Sequence, residues 1–361
     1  MPVMIQARPT VRHRPSIAAC RQIWETDGPE AVAGCIDIGL INNMPPAALH
    51  GTEVRFVRLL EAAAPDLLVR LRRYTLPEIR RTAGGLKQLT SCYFDIDDLW
   101  DHRLDVLIVT GTEPREADLM AERYWGGLAG VLEWAVDNTI ATILSCLAAH
   151  AGALYFDGID RRRLPDKRFG VYDHARVSDH FLTNGVAAPL SSPHSRWNEI
   201  AEEPLTSCGY SILTKSHTAG ADLFVKGRKG SLFLHFQGHP EYGSRTLLKE
   251  YRRDIERFLR HERESYPSMP AGYFDAKGTR ALIDFRERVL RSPDEHVLAE
   301  FPEVLVGSAL KDDWRLPAIR IFRNLLRHVA DEKSVKRAPR GLVQHRKAVE
   351  RTATIPDGVR P

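Results

Sequence analysis

The stretch ILSCLAAHAGALYFDG, residues 143–158, begins as an apolar, strand-like run and turns into a helix of small residues, with Cys146 at the join. A thiol there can be a small hydrophobe filling a gap, or a nucleophile held on a tight turn. As a nucleophile it has suitable surroundings. The positive end of the following helix favours a thiolate, and the N–H of Leu147 can donate to an oxyanion formed on a carbonyl that Cys146 attacks. Ala148, Ala149, Ala151 and Gly152 would let that helix lie close to its sheet. A lone cysteine does not choose between the two readings.

A second stretch, LHFQGHPEYGSRTLLKEYRRD (residues 234–254), supplies what the thiol would need. A strand ends in Gly-His-Pro-Glu, and Pro240 biases the preceding residues towards an extended form. Residues i and i+2 of an extended segment lie on one side, so Glu241 can hydrogen-bond the imidazole of His239. That bond selects the tautomer, raises the basicity of the ring and leaves the other nitrogen free to face a thiol. The alternative is a turn with an ordinary histidine and a solvated glutamate. Together, Cys146 and the His239–Glu241 pair make a nucleophile, a base and an orienting group.

Such a set needs a scaffold that brings two strand ends together. From CIDIGLIN (35–42) onward, strands alternate with helices. A loop with two prolines leads into a helix over 51–64, whose face is marked by Val54, Val57, Leu60 and Ala64. LLVRLRRYTL, LDVLIVTG (104–111) and TIATILS read as further strands, with a helix over 121–138 between the last two. This alternation predicts an α/β fold, a mostly parallel sheet with helices on both faces. Reactive groups in such folds gather at the carboxyl ends of the strands. CGYSILTKS, ADLFVKGR and GSLFLHFQG predict a short antiparallel set. A charged helix over 244–264 follows, with Leu247, Tyr251 and Ile255 on one side. One or two more helices start from about residue 266 and end with LPAIRIFRNLLRHVADE. The expected organisation is an arm over 1–32 with a short helix at SIAACRQIWE, one α/β domain over 33–333, and a mobile tail over 334–361. The tail carries seven Lys/Arg against two acids and has no hydrophobic period.

Composition narrows the function classes. The 361 residues are 43% hydrophobic and 27% charged, as suits a globular chain. The 51 basic and 47 acidic residues, net +4, are too balanced to suggest nucleic acid. No apolar run reaches the roughly 18 residues of a membrane span, and the first residues lack the apolar core of a secretory signal. The five cysteines, Cys20, Cys35, Cys92, Cys146 and Cys208, are scattered and show no CxxC spacing. No disulfide framework or zinc site is therefore expected, and a reducing cytoplasm is.

SCLAAHAGALYFDGI, KRFGVYDH, PHSR and GHPEYGSRTLLKEYRRD resemble the homoserine O-acyltransferase (homoserine O-succinyltransferase) family of methionine biosynthesis. INNMPP, VLIVTGTEP with Tyr124-Trp125, and DDWRLPAIRIFRNLL extend the resemblance over roughly residues 35–330. The resemblance implies a class I glutamine-amidotransferase-like (flavodoxin-like) fold with a C-terminal helical extension. It implies that Cys146 carries the acyl group, with His239 as general base and Glu241 as its partner. Arg253 would grip the amino-acid carboxylate, a task suited to a bidentate fork, and Lys167 and Ser195 would make further substrate contacts. Acyl-CoA would be a co-substrate, with no metal or other cofactor. The acceptor would be homoserine or a similar hydroxy amino acid, and the protein a homodimer.

The sequence departs from the family pattern at the loop before the first helix, where Ala47 replaces a lysine. Leu147 replaces a tryptophan and His150 a glutamine. Arg115 stands where the family sorts acyl donors, a glycine there going with succinyl and a glutamate with acetyl. The expected activity is transfer of an acyl group, succinyl favoured over acetyl, to the hydroxyl of L-homoserine through an acyl-cysteine. Three alternatives stay open: the same chemistry on serine, a glutamine-hydrolysing amidase using the same three residues, and a non-catalytic relative.

Overall fold

The computed structural model describes residues 3–6, 35–81, 89, 92–308 and 310–337. In chain order the elements begin with β1 (Val3–Ile5), β2 (Ile36–Ile41), α1 (Pro46–Ala63), β3 (Val69–Tyr74), α2 (Asp97–Trp100), β4 (Val106–Val109) and α3 (Trp125–Asn138). They continue with β5 (Ala141–Ser145), α4 (Leu147–Asp157), β6 (Arg162–Arg176), β7 (Leu190–Glu199), α5 (Glu202–Ser207), β8 (Ser211–Ile212), β9 (Thr214–Ser216) and β10 (Gly220–Ala221). The last are β11 (Leu223–Arg228), β12 (Ser231–Phe236), α6 (Thr246–Leu259), α7 (Ala276–Arg291), α8 (Glu303–Gly307) and α9 (Arg315–Arg337).

Eight strands form one sheet in the order β1-β3-β2-β4-β5-β12-β11-β8, and β10-β9-β6-β7 form a second sheet of four. The larger sheet is parallel from β1 to β12 and closes with β11, antiparallel to β12, and β8, antiparallel to β11. Its central strands are buried and mostly apolar because both faces are covered. α1 and α9 pack on one face with Phe56, Leu60, Phe322 and Leu325, and α3 and α4 on the other with Leu128, Val131, Ala148 and Ala151. α6 and α7 build a separate cluster around Tyr251, Tyr273 and Phe285. The expected architecture, a mostly parallel sheet with helices on both faces and helices at the C-terminus, is the one the chain adopts.

Several local expectations change. The expected antiparallel set forms as β12, β11 and β8, but it is continuous with the larger sheet, because β12 also pairs in parallel with β5 at the centre. Only β11 runs against the parallel strands there; β8, antiparallel to β11, runs with them at the edge. Val3–Ile5, assigned to the arm, pairs in parallel with β3; the short helix at SIAACRQIWE lies outside the described residues. α1 starts at Pro46, one residue after its extended N-cap Pro45. Proline suits the first helical position because its missing N–H would have no partner there. Its buried face is Thr52, Glu53, Phe56, Leu59, Leu60 and Ala63, with Val54 and Val57 half-buried. Glu53 goes inward because Arg73 donates to it at 2.6 Å and the Tyr93 hydroxyl at 3.1 Å, which offsets the desolvation of a buried carboxylate. α6 keeps the expected apolar side but ends at Leu259. α9 runs past the expected boundary of the α/β domain to Arg337, and the rest of the basic tail lies outside the described residues.

Candidate active site

The site forms where β5 and β12 end side by side. Ser145 registers with Phe236, and the Cys146 N–H donates to the Phe236 carbonyl at 2.7 Å. The next residues of each strand therefore leave the sheet together. Cys146 is the N-cap of α4, with φ 53° and ψ −112°. A non-glycine residue at positive φ is sparsely populated and costs on the order of 1–3 kcal/mol. The strain is held because Cys146 is tied into the ladder at its N–H and into the helix at its carbonyl, which accepts from Ala149 at 3.0 Å. The small residues of α4 do what their sizes suggest: a Cβ at Gly152 would stand 2.4 Å from a methyl of Leu144. The helix thus rests directly on β5, with Cys146 at its N-terminus.

His239 and Glu241 pair as the sequence implies, Nδ1 to Oε1 at 2.9 Å, but in a different backbone. The His239 carbonyl accepts from the Tyr242 N–H at 3.1 Å, so residues 239–242 form a β-turn with Pro240 at its second position, which fixed φ favours. On its other side the ring feels Cys146, whose sulfur favours the protonated form. Burial works against a charged ring here. The charges of Glu241 and Cys146, and hydrogen bonds to both, outweigh it and push His239 up to about 10. Tyr242 stacks on the imidazole with centroids 4.2 Å apart and an interplanar angle of 16°. In Cys146→Ala the influence of the sulfur vanishes, so His239 should lose its proton at a lower pH than in the wild type. An imidazole NMR titration of both proteins checks this; coincident curves would mean that sulfur and ring do not interact.

The three expected substrate contacts converge on α6. The Ser195 hydroxyl donates to Glu250 at 2.5 Å, and Lys167 reaches Asp254 at 3.2 Å and Glu250 at 3.8 Å. Arg253 bonds Asp254 through Nε and a terminal nitrogen at 3.0 and 2.8 Å, while half of its side chain stays exposed. Burial disfavours the Asp254 carboxylate, but Lys167 and Arg253 prevail and hold it below its ordinary value. Tyr242 donates to the second oxygen of Glu250 at 2.6 Å, linking this cluster to the ring that stacks on His239.

Arg115 is exposed, in the loop after β4. Its backbone N–H and that of Glu116 donate to the buried carboxylate of Glu122. Among the described residues no carboxylate pairs with its guanidinium. Leu147 is buried against the apolar face of the sheet, so its side chain packs while its N–H begins the helix. His150 is buried and donates to Gln237 Oε1 at 3.0 Å. Burial, then Arg196, drive it down to about 3, so it is neutral and structural. Ala47 is exposed in the first turn of α1. The cation that α1 brings towards the dyad is Arg55, 5.4 Å from the centroid of Tyr242.

Some participants were not singled out from the sequence. A Cβ on Gly111 would lie 3.1 Å from the Leu147 nitrogen, so glycine keeps the approach to that N–H open. A glycine ending a buried strand, in VLIVTG, was the available signal. Glu250 and Asp254 were hidden in the charged surface pattern of α6; nothing in helical spacing distinguishes an acid facing solvent from one facing β6.

A family model described as homoserine O-succinyltransferase matches residues 20–335. The chain is 44% identical over 302 residues to the homoserine O-succinyltransferase of Rhodopseudomonas palustris, covering 84% of this chain and 90% of that one. It is 44% identical over 299 residues to that of Bradyrhizobium japonicum, covering 82% and 90%. Among solved structures, a glutamine amidotransferase from Thermotoga maritima aligns with a TM-score of 0.44 at 12% identity, over 82% of this chain and 98% of that one. Among the described residues, no helix is long and apolar enough to cross a membrane. The match over most of the chain at such identity means that this protein belongs to the homoserine O-succinyltransferase family.

Proposed function

We propose that the chain transfers a succinyl group from succinyl-CoA to the hydroxyl of L-homoserine, through a thioester on Cys146. The observation that supports this most is the strained Cys146 beside the hydrogen-bonded His239–Glu241 pair. In the first half-reaction the thiolate attacks the thioester carbonyl, and the Leu147 N–H stabilises the oxyanion. The C–S bond to CoA breaks, and CoA leaves with the proton that His239 holds. Acylation takes the charge off sulfur, which removes one of the influences keeping His239 protonated. The ring is then free to act as a base just when one is required. It takes the proton of the acceptor hydroxyl, the oxygen attacks the thioester, and the Cys146 thiolate departs beside the newly formed imidazolium. Acyl-CoA enters as a co-substrate, and the chemistry asks for no other cofactor.

An α-amino acid needs an anion and a cation at matching distance. Glu250 and Arg253, one turn apart on α6, supply them for its ammonium and carboxylate, with Lys167 and Ser195 setting the orientation of Glu250. Incubation with succinyl-CoA alone, followed by intact-mass measurement, should show one succinyl group on Cys146, discharged by homoserine. Glutamine hydrolysis without CoA would instead support the amidase, and no reaction with either a non-catalytic relative.

Arg115 bears on the choice of donor. Its guanidinium can pair with the free carboxylate of a succinyl group through two hydrogen bonds. A charge-assisted contact is worth about 1.5–3 kcal/mol, roughly ten- to a hundredfold in preference. The loop is anchored through backbone N–H groups on Glu122, so Arg115→Glu should leave its conformation in place. That variant is expected to flatten or invert the ratio of kcat/KM for succinyl-CoA over acetyl-CoA. An unchanged ratio would make Arg115 a bystander.

A further inference from the structure

Behind the His239 turn lies a buried polar cluster that the mechanism above does not use. Asp222, between β10 and β11, is 5% exposed. Its Oδ1 accepts from the Gly238 N–H at 2.7 Å, and its carbonyl from the Gln237 N–H at 3.0 Å. The His239 N–H donates to the Pro193 carbonyl at 2.8 Å. Three consecutive amides leading into the catalytic turn are therefore anchored, two of them by Asp222. The clamp closes tightly around Gly238, where a Cβ would stand 2.5 Å from Ser192 Oγ and 2.9 Å from Asp222 Oδ1.

His174 and His194 stack beside Asp222 with centroids 5.2 Å apart, both buried. A nitrogen of each and an oxygen of Asp222 lie within 4.8 Å of one another, a grouping that could suit a divalent cation. The tautomers argue against one. Arg196 Nε–H donates to His194 Nδ1 at 3.2 Å, so the proton of the neutral ring sits on Nε2, which then has no lone pair for a metal. Burial, then Arg196, hold His194 well below its ordinary value, so the ring is neutral. His174 Nδ1–H donates to the Tyr172 carbonyl at 3.0 Å, leaving the lone pair on its Nε2. Neither Nε2 has a partner among the described residues, and His194 Nε2 stands 3.7 Å from Asp222 Oδ1, beyond a direct hydrogen bond.

One donor and two acceptors are the complement of a single water molecule, which accepts one hydrogen bond and donates two. A cavity of about 30 Å³ opens onto His174 and Asp222, between Leu190, Phe236 and Trp314, and gives such a water room. We infer that Asp222 is a positioning residue for His239, oriented by one buried water that it shares with His174 and His194. The inference rests on His239 acting as the base.

The test compares Asp222→Ala, Asp222→Asn, His174→Phe and His239→Ala in the full chain, with succinyl-CoA and homoserine. Asp222→Ala frees the Gly238 amide and should lower kcat about thirty- to a hundredfold, the scale of a small misplacement of a catalytic group, with both KM values nearly constant. Asp222→Asn, whose amide oxygen still accepts from Gly238, should recover most of that loss. His174→Phe keeps the stack but removes one acceptor of the water, and should lower kcat about tenfold; it carries the test if Asp222→Ala does not fold. Wild-type kcat in Asp222→Ala, or an equal loss in the Asn variant, would overturn the positioning role. Wild-type kcat in His174→Phe, or one equivalent of tightly bound zinc in the purified protein, would overturn the water. Activity surviving in His239→Ala would instead sink the reading of the site itself.

Discussion

Cys146→Ala should abolish acyl transfer while the fold survives. Removing the nucleophile of a comparable three-residue set costs on the order of a million-fold in kcat. Alanine keeps the Cβ, so the positive φ at this position is neither relieved nor made worse, and the neighbouring Ala148 and Ala149 stay packed. The melting temperature should therefore remain within about 5 °C of the wild type. Steady-state turnover, intact mass after succinyl-CoA and a thermal melt together decide the matter. A well-folded variant with wild-type turnover would refute the acyl-cysteine.

Glu241→Gln should lower kcat about a hundred- to ten-thousandfold, with a much smaller effect on the KM for homoserine. Glu241 is buried, and its Oε1 accepts from His239 Nδ1 while Oε2 has no partner among the described residues. Its negative charge acts mainly on the imidazolium, a species that forms and decays during the chemistry. A neutral amide removes that charge and can turn its own N–H groups towards Nδ1, favouring the wrong tautomer. The glutamine variant should also bring the high His239 value down, because the Glu241 charge is the largest influence raising it. The measurement is kcat and KM across pH for both proteins. A change confined to KM would make Glu241 a binding residue.

Sequence by itself determined most strands of the larger sheet, the candidate residues Cys146, His239 and Glu241, and the family. Buried parallel strands read as apolar runs because both of their faces are covered, and Cys146, His239 and Glu241 each stand just past such a run. Local chemistry was harder to place where one residue type serves two backbones. The His239–Glu241 pair fits an extended segment and a turn equally well in sequence, and the turn is settled by the Tyr242 N–H folding back on His239. The helical face of α1 was placed in part: Leu60 and Ala64 are buried as expected, but Glu53 is buried too, through Arg73 and Tyr93, partners that helical spacing cannot show.

Only the tertiary structure decided which strand ends meet. β12 follows β5 by more than eighty residues, yet it lies beside it and delivers His239 to Cys146. The adjacency results from long-range pairing, which a pattern of local periodicity does not encode. The same holds for Glu250, Asp254 and Asp222. Each reads as an ordinary acid in the chain, and each acquires its task from what packs against it: Lys167 and Ser195 on the second sheet, and the Gly238 amide at the end of β12. A side chain's type limits the bonds it can make, and the packing of distant elements determines which of them it does make.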